Sequence, residues 1–402
     1  MRILLTALLL LTALSGADKR PVSPPGIKPV GPYSPGILTR DFLYVSGQGA
    51  KNGQGQIPAD VEGQLRQTFE NVKTIVEAAG LTMEHVVYAQ VYLSDVSDEA
   101  PLNRVWKQYF PQSPPARSTI GIARLPGTPV EMSAVAVRDL ARKKTVAPPG
   151  YPSTSPISPA VIANDRVYFS GFLGRDIRTG RIPEDAAAQV DLALDGMQAA
   201  LKAAGLDFRH MVFMNPYLTE KIPMAVMNKM YARRFEFGNT PARATIQVAG
   251  LPGGASIEFT GVAVLDLTHR RAVRPKNMEP SPTASPCVFA GETLFCSAKS
   301  GFIPGLNGGI YASTVETQLR QTMRNLLDGL EEAGMTFANV VASNVYLDNV
   351  DEFAQMNGVY AEYLGSTPPA RTTIQQTSPA KRQADSKGHW PALEQISIVA
   401  AP

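Results

Sequence analysis

The sequence predicts an α+β protein in which one ββαβαββ domain is written three times and packed as an intramolecular pseudo-trimer. Three observations predict it. Three strings recur at matched places: NRVWKQYF (103–110), NKMYARRF (228–235) and NGVYAEYL (357–364). Each is followed by a Pro-Ala-Arg motif, in PPARST (114–119), TPARAT (240–245) and PPARTT (368–373). The arginines stand roughly 130 residues apart, far beyond the 20–50 residues of a solenoid unit, so whole domains are repeated. Within each unit the apolar period switches between two and 3.6, the marks of strand and helix. Finally, two helices per unit cover one sheet face, and the apolar residues of the other face need a partner that neighbouring units can supply. The units are placed at 27–139, 154–267 and 280–400.

Each unit opens with a hairpin: GILTRDFLYVSG (36–47), AVIANDRVYFSG (160–171) and CVFAGETLFCSA (287–298). The central pairs Arg40-Asp41, Asn164-Asp165 and Gly291-Glu292 read as two-residue turns. An amphipathic helix follows. In the first unit Val61, Leu65, Phe69, Val72, Ile75 and Val76 keep the helical period, and Gly80 is placed to end it. Its counterparts run over Leu192–Ala204 and Val315–Ala333. A strand at Val86–Leu93, a second helix over Glu99–Phe110 and closing strands around Arg117–Arg124 and Val130–Val137 complete the unit. Leu140–Ser155 and Thr268–Ser281, rich in proline and basic residues, read as linkers.

Residues 1–17 carry Arg2, an apolar run from Ile3 to Leu14 and small residues at Ser15 and Ala17, the pattern of a cleaved export signal. The run is too short to cross a bilayer, which takes about 20 residues. No later segment is apolar enough, so the expected product is exported, periplasmic or extracellular, with no membrane span. Across 402 residues, 38 Lys and Arg against 35 Asp and Glu leave a net charge of +3, too little for a dedicated nucleic-acid binder. Four His and two Cys cannot build a repeated zinc site. No HExxH, GxSxG or P-loop pattern occurs, which removes the common zinc peptidase, serine hydrolase and nucleotide-binding readings.

Chemistry is expected where polar residues recur while their surroundings vary. Arg117, Arg243 and Arg371 each follow Pro-Ala at the start of a strand. One such arginine is ordinary surface. Three at the same place suit a bidentate anchor for a small organic acid. Glu131, Glu258 and Glu394 open the last strand between apolar flanks. They face either solvent or a low-dielectric cleft, where a raised pKa equips an acid to hold water or pass a proton. Thr119, Thr245 and Thr373 lie two residues beyond each arginine and so on its side of the sheet. Asn103, Asn228 and Asn357 recur on the second helix. With Gly291-Glu292 as the turn, Cys287 stands opposite Cys296. An oxidising compartment would join them, and the alternative is two buried thiols.

GPYSPG (31–36), YVSGQ (44–48), QTFENVKTIVEAAG (67–80), VYLSD (91–95), PPARST (114–119) and LPGTPVEMSAVAV (125–137) together resemble the reactive-intermediate deaminase (RidA, or YjgF) family. The resemblance spans three copies. It implies a chorismate-mutase-like fold, trimers with clefts between subunits, and hydrolysis of 2-imino and enamino acids to 2-oxo acids and ammonia without metal or cofactor. Carried over by position, Arg117 would bind the substrate carboxylate and Glu131 would orient water. Tyr33, Ser46, Gly47, Asn103 and Thr119 would line the cleft. In the second unit Ser170, Gly171, Asn228, Arg243, Thr245 and Glu258 match, but Ile157 replaces the tyrosine and Pro216 interrupts a strand. In the third, Ser297, Asn357, Arg371, Thr373 and Glu394 match. There Ala284 replaces the tyrosine, Ala298 replaces the glycine, and an insertion at 378–390 precedes the acid. The best site is expected from first-unit residues, with a small 2-imino or 2-oxo acid as ligand, no nucleic-acid partner and a single chain as the particle. The competing expectation is a non-catalytic module binding small carboxylates or a partner protein. RNA cleavage, implied by an older family name, conflicts with the near-neutral charge.

Overall fold

The computed structural model describes residues 19–25, 27–276, 278–305, 308–377 and 382–402. The expected export signal at 1–17 lies outside them. Among the described residues no helix is long and apolar enough to cross a membrane.

Hydrophobic alternation and turn chemistry produce the same unit three times. The first comprises β1 (Arg20–Val22), β2 (Gly36–Leu38), β3 (Phe42–Gly49), α1 (Val61–Ala78), β4 (Val86–Leu93), α2 (Glu99–Tyr109), β5 (Ala116–Gly121) and β6 (Val130–Val137). The second runs through β7 (Lys143–Val146), β8 (Ala160–Ala163), β9 (Arg166–Leu173), α3 (Ala186–Ala203), β10 (Met211–Leu218) and α4 (Met224–Ala232). It closes with β11 (Ala242–Arg243), β12 (Ile246–Gln247) and β13 (Ile257–Val264). The third has β14 (Arg270–Val273), β15 (Cys287–Ala290), β16 (Thr293–Lys299), α5 (Val315–Glu332), β17 (Val340–Leu347), α6 (Phe353–Ala361), β18 (Ala370–Gln375) and β19 (Glu394–Ala400). The sheet orders are β1-β2-β3-β6-β4-β5 and, at equivalent places, β7-β8-β9-β13-β10-β11 and β14-β15-β16-β19-β17-β18.

Three departures from the sequence reading have physical causes. Each sheet gains an edge strand, and β7 and β14 come from segments read as linkers. The hairpin's outer strand leaves a row of free N–H and C=O groups, and Lys-Lys-Thr-Val and Arg-Arg-Ala-Val satisfy them with the short basic composition usual at edges. Helix α3 begins at Ala186, earlier than Leu192. Its first residues are alanines, which show no amphipathic stripe but have the highest helix propensity, and the Asp185 carboxylate accepts from the Ala188 N–H at 2.7 Å. The fifth strand of the second unit is split into β11 and β12. Pro216 has no N–H to donate, and the neighbouring Asn215 side chain instead donates to the Ala244 carbonyl at 2.8 Å.

In each unit both helices lie on one sheet face. In the first, α1 brings Leu65, Phe69, Val72 and Ile75, and α2 brings Leu102, Val105 and Trp106, onto Leu43, Val91 and Met132. The opposite faces of the three sheets meet. Tyr44 and Val87 share a buried cluster with Tyr168 and Val262 and with Phe295 and Val341. A second cluster joins the equivalent tyrosines Tyr92, Tyr217 and Tyr346, all 0% exposed. Gln90 donates to the Tyr217 hydroxyl at 2.7 Å, so one polar group at this centre is satisfied between units. The hairpin register sets Cys287 opposite Cys296, and the two form a disulfide with Cα atoms 4.0 Å apart.

Candidate active site

Each arginine leaves its own unit and meets the last strand of another. Arg371 lies with Glu131, Arg117 with Glu258, and Arg243 lines a cavity with Gln395. We name these the first, second and third clefts, after the unit supplying that strand. The expected partnership of Arg117 with Glu131 does not occur. Both belong to the first unit, but β5 is an edge strand whose outer side faces the next sheet, so its arginine serves the neighbour.

The arginine wall is built alike in all three. A helix places Asn and, three residues on, an aromatic ring on one face, because i and i+3 are neighbours. Arg117 sits 4.7 Å from the Trp106 ring, Arg243 5.1 Å from Tyr231 and Arg371 5.1 Å from Tyr360. These stacks fix the guanidinium plane and offset part of its lost hydration. Asn103 Oδ1 accepts from Arg117 Nη2 at 2.6 Å, and Asn228 Oδ1 accepts from Arg243 Nη1 at 2.8 Å. Asn357 Oδ1 and Arg371 Nη2 are buried and have no hydrogen-bond partner among the described residues. The aromatic rings were not among the expected site residues, although N-x-x-[WY] is repeated in all three strings.

The serines act one step behind the wall. Ser170 Oγ accepts the Arg117 backbone N–H at 2.9 Å and donates to Ser158 O, and Ser297 Oγ does the same for Arg243 at 2.8 Å. They fasten one sheet to the next. Ser46 Oγ donates to Pro35 O and accepts from Gln48 Nε2 at 2.8 Å.

The acid wall depends on glycine. A Cβ at Gly47 would sit 2.0 Å from Glu131 Oε1, and one at Gly171 would sit 2.1 Å from Glu258 Oε1. The carboxyl groups lie flat on the backbone where any side chain would stand. Burial pushes the Glu131 carboxyl up to about 8, while Arg371 and the Thr373 N–H pull it down. Burial likewise raises Glu258 to about 8 against the Ser118 hydroxyl and Arg117. The third unit departs from the sequence expectation. Tyr346 pairs with Gln395, as Tyr92 pairs with Glu131 and Tyr217 with Glu258, so Gln395 holds the acid's place and Glu394, one residue earlier on the strand, belongs to the opposite sheet face. Gln395 Nε2 donates to the Thr245 carbonyl at 3.1 Å, and Glu394 Oε1 accepts from Thr322 on α5. Burial again raises it to about 8, and Arg243 is not among the charges acting on it.

The clefts differ in access. The first is a cavity of about 720 Å³ in which Tyr33, Gly47, Glu131, Arg371 and Thr373 face one another. Tyr33 lies on the segment before β2, with its ring 5.0 Å from the Arg371 guanidinium. Thr373 Oγ1 is buried and lacks a partner among the described residues. In the second cleft Arg117 is 3% exposed, with Nε and Nη1 unpartnered among the described residues. Burial lowers its pKa to about 10. Ile157 occupies the place of Tyr33, but Tyr151, six residues earlier, brings a phenol within electrostatic reach of Arg117. The third is a cavity of about 640 Å³ lined by Asn228, Arg243, Thr245, Ser297, Lys299 and Glu394.

Buried donors and acceptors left open around an arginine, opposite an acid kept neutral by burial, suit a small carboxylate and a proton relay. The Endoribonuclease L-PSP family profile matches residues 25–138, 150–265 and 276–382. A RutC family protein of Pyrococcus horikoshii is 40% identical over 116 residues, covering 28% of this chain and 91% of that protein. A 2-iminobutanoate/2-iminopropanoate deaminase of Escherichia coli is 40% identical over 114 residues, covering 27% and 89%. The solved YjgF gene product of E. coli is 37% identical, covering 31% of this chain and 100% of that one, with a TM-score of 0.28.

Proposed function

The chain belongs to the Endoribonuclease L-PSP family, and from that premise we propose that it is an imine and enamine deaminase working in its first cleft. The substrate is a small 2-imino or 2-enamino acid, and the products are a 2-oxo acid and ammonia. The observation that carries this reading is the pairing of Glu131 with Arg371 across one cavity, with Tyr33 and Thr373 between them.

Arg371 takes the substrate carboxylate, using N–H groups the protein leaves open. The neutral Glu131 carboxyl donates its proton to the imine nitrogen and becomes a carboxylate, which Arg371 and the Thr373 N–H stabilise. The iminium carbon is now more electrophilic. Water adds to it, and Glu131 accepts the proton that water loses. The C–N bond of the resulting carbinolamine breaks, its nitrogen leaves as ammonia with the relayed proton, and the 2-oxo acid remains. One imine and one water give one oxo acid and one ammonia. An acid with a pKa of about 8 serves as donor and then acceptor near neutral pH. Positioning supplies much of the rest, since the substrate is already reactive.

The test is the decay of 2-iminopropanoate, generated by an amino-acid oxidase and followed with and without the purified chain. Acceleration is expected, and its absence sinks the proposal. We further propose that one chain is the complete particle, because the sheet faces that lack helices cover one another within it. A solution mass of three chains would overturn that. Export rests on the pattern of residues 1–17 and is tested by fractionating cells that express the full chain. The reading as a binding module is favoured at one place, the third cleft, where Gln395 stands in the place of the acid.

A further inference from the structure

We propose that the third cleft is a non-hydrolytic binding site for a small dicarboxylate, one end held by Arg243 and the other by Lys299. The proposal rests on the reading of the first cleft as hydrolytic, because it turns on what the third cleft lacks by comparison. The strand position that carries Glu131 and Glu258 in the other clefts carries Gln395 here, an amide that cannot pass a proton, and Glu394, one residue earlier, bonds Thr322 on α5. The anchor is nevertheless kept. Arg243 is stacked on Tyr231, bonded to Asn228 at 2.8 Å and tied to Ser297 through its own N–H. Thr245 Oγ1 is buried and has no partner among the described residues, as Thr373 Oγ1 is in the first cleft. A site that had merely decayed would have no reason to hold these groups in register.

The residue after Ala298 supplies what is new. Where the first unit has Gln48 and the second Phe172, the third has Lys299, half-buried on the wall of the same cavity as Arg243. Among the described residues it makes no salt bridge with a carboxylate, and burial lowers its pKa although Asp328 opposes this. Glu394 offers the cavity no charge at neutral pH, since burial keeps it protonated. Glu279 lies exposed at the mouth. Two cations that form no ion pair among the described residues, in a cavity of about 640 Å³, favour an acid with two negative ends. With no acid beside the arginine to pass a proton, the ligand is held and released unchanged.

The experiment is calorimetry of the full chain with 2-oxoglutarate and 2-oxobutanoate, with the ligand's integrity followed by NMR. Expected is saturable 2-oxoglutarate binding without consumption. Lys299→Met should weaken it about tenfold and leave 2-oxobutanoate within about twofold. Arg243→Ala should abolish it, and Arg243→Lys, which keeps charge and bulk, should retain folding while losing most of the affinity. Equal affinity for the two acids, indifference to Lys299→Met and Arg243→Lys, or conversion of the ligand would each overturn the proposal. Arg371→Ala separates it from the first-cleft reading. If that variant keeps both full deaminase activity and 2-oxoglutarate binding, the hydrolytic assignment fails while the binding site stands.

Discussion

In the first cleft Glu131 lies across Gly47 and faces Arg371; in the third, Gln395 stands at that strand position and Glu394, one residue earlier, bonds α5. The helices do not explain this, since Gln-Leu-Arg-Gln-Thr occurs in both α1 and α5. What differs is the last strand, where Glu394 takes the place that Val130 has in the first unit. Thr322 donates to that acid, whereas Thr68 Oγ1 is buried without a partner among the described residues. A shift of one residue along a strand moves a side chain to the other sheet face, so register decides which side an acid serves.

The comparison can be broken first at the arginines. Arg371→Ala should lower kcat/KM for 2-iminopropanoate about 100-fold or more, as loss of a charged anchor at the reacting centre does. Arg243→Ala should cost far less. Equal losses would mean that the clefts are equivalent.

Next comes the glycine beneath the acid. A Cβ at Gly47 would meet Glu131 Oε1, so Gly47→Ala should displace that carboxyl and lower kcat by about tenfold to 100-fold, with a smaller change in KM because Arg371 is untouched. Unaltered kcat would refute the steric account.

The pH profile sharpens the same point. Glu131 must start protonated, so activity should hold below a pKa of about 8 and fall as pH rises through it. Glu131→Gln should leave only a low, flat profile.

Stability should show a smaller effect with a defined sign. A carboxyl at about 8 in the fold and near 4.5 when unfolded favours the fold below pH 4.5, and that advantage is lost as pH rises towards 8. Glu394→Gln should therefore raise Tm at pH 8 relative to its effect at pH 5, measured by calorimetry. The smallest effect is expected in the second cleft. In an Arg371→Ala background, Tyr151→Phe should reduce residual turnover severalfold if that phenol stands in for the one lost at Ile157.

The repeats, the order of elements and the residues on which chemistry depends were all legible along the chain. Val61–Val76 kept the helical period, and three Pro-Ala-Arg motifs and the late acids Glu131 and Glu258 marked the site, because local periodicity and recurrence are properties of neighbours in sequence. The insertion before Glu394 hid that Gln395 is the equivalent residue there. The sequence also flagged Pro216 and Ala298 as departures. It left the edge strands β7 and β14 as linkers, since a short basic strand has no signal of its own and forms only when a sheet edge is there to receive it. The start of α3 was hidden for a like reason, as alanines carry propensity but no stripe.

By itself, then, the sequence determined that there are three domains of one kind and which side chains they would present. Only the tertiary structure decided which of those side chains meet. Arg117 and Glu131 stand 14 residues apart in the chain yet serve different clefts, because each site lies between two sheets and neighbours across such a gap share no sequence relation. The placement of Glu394 was likewise decided in three dimensions, by the pairing that sets Gln395 rather than Glu394 opposite Tyr346.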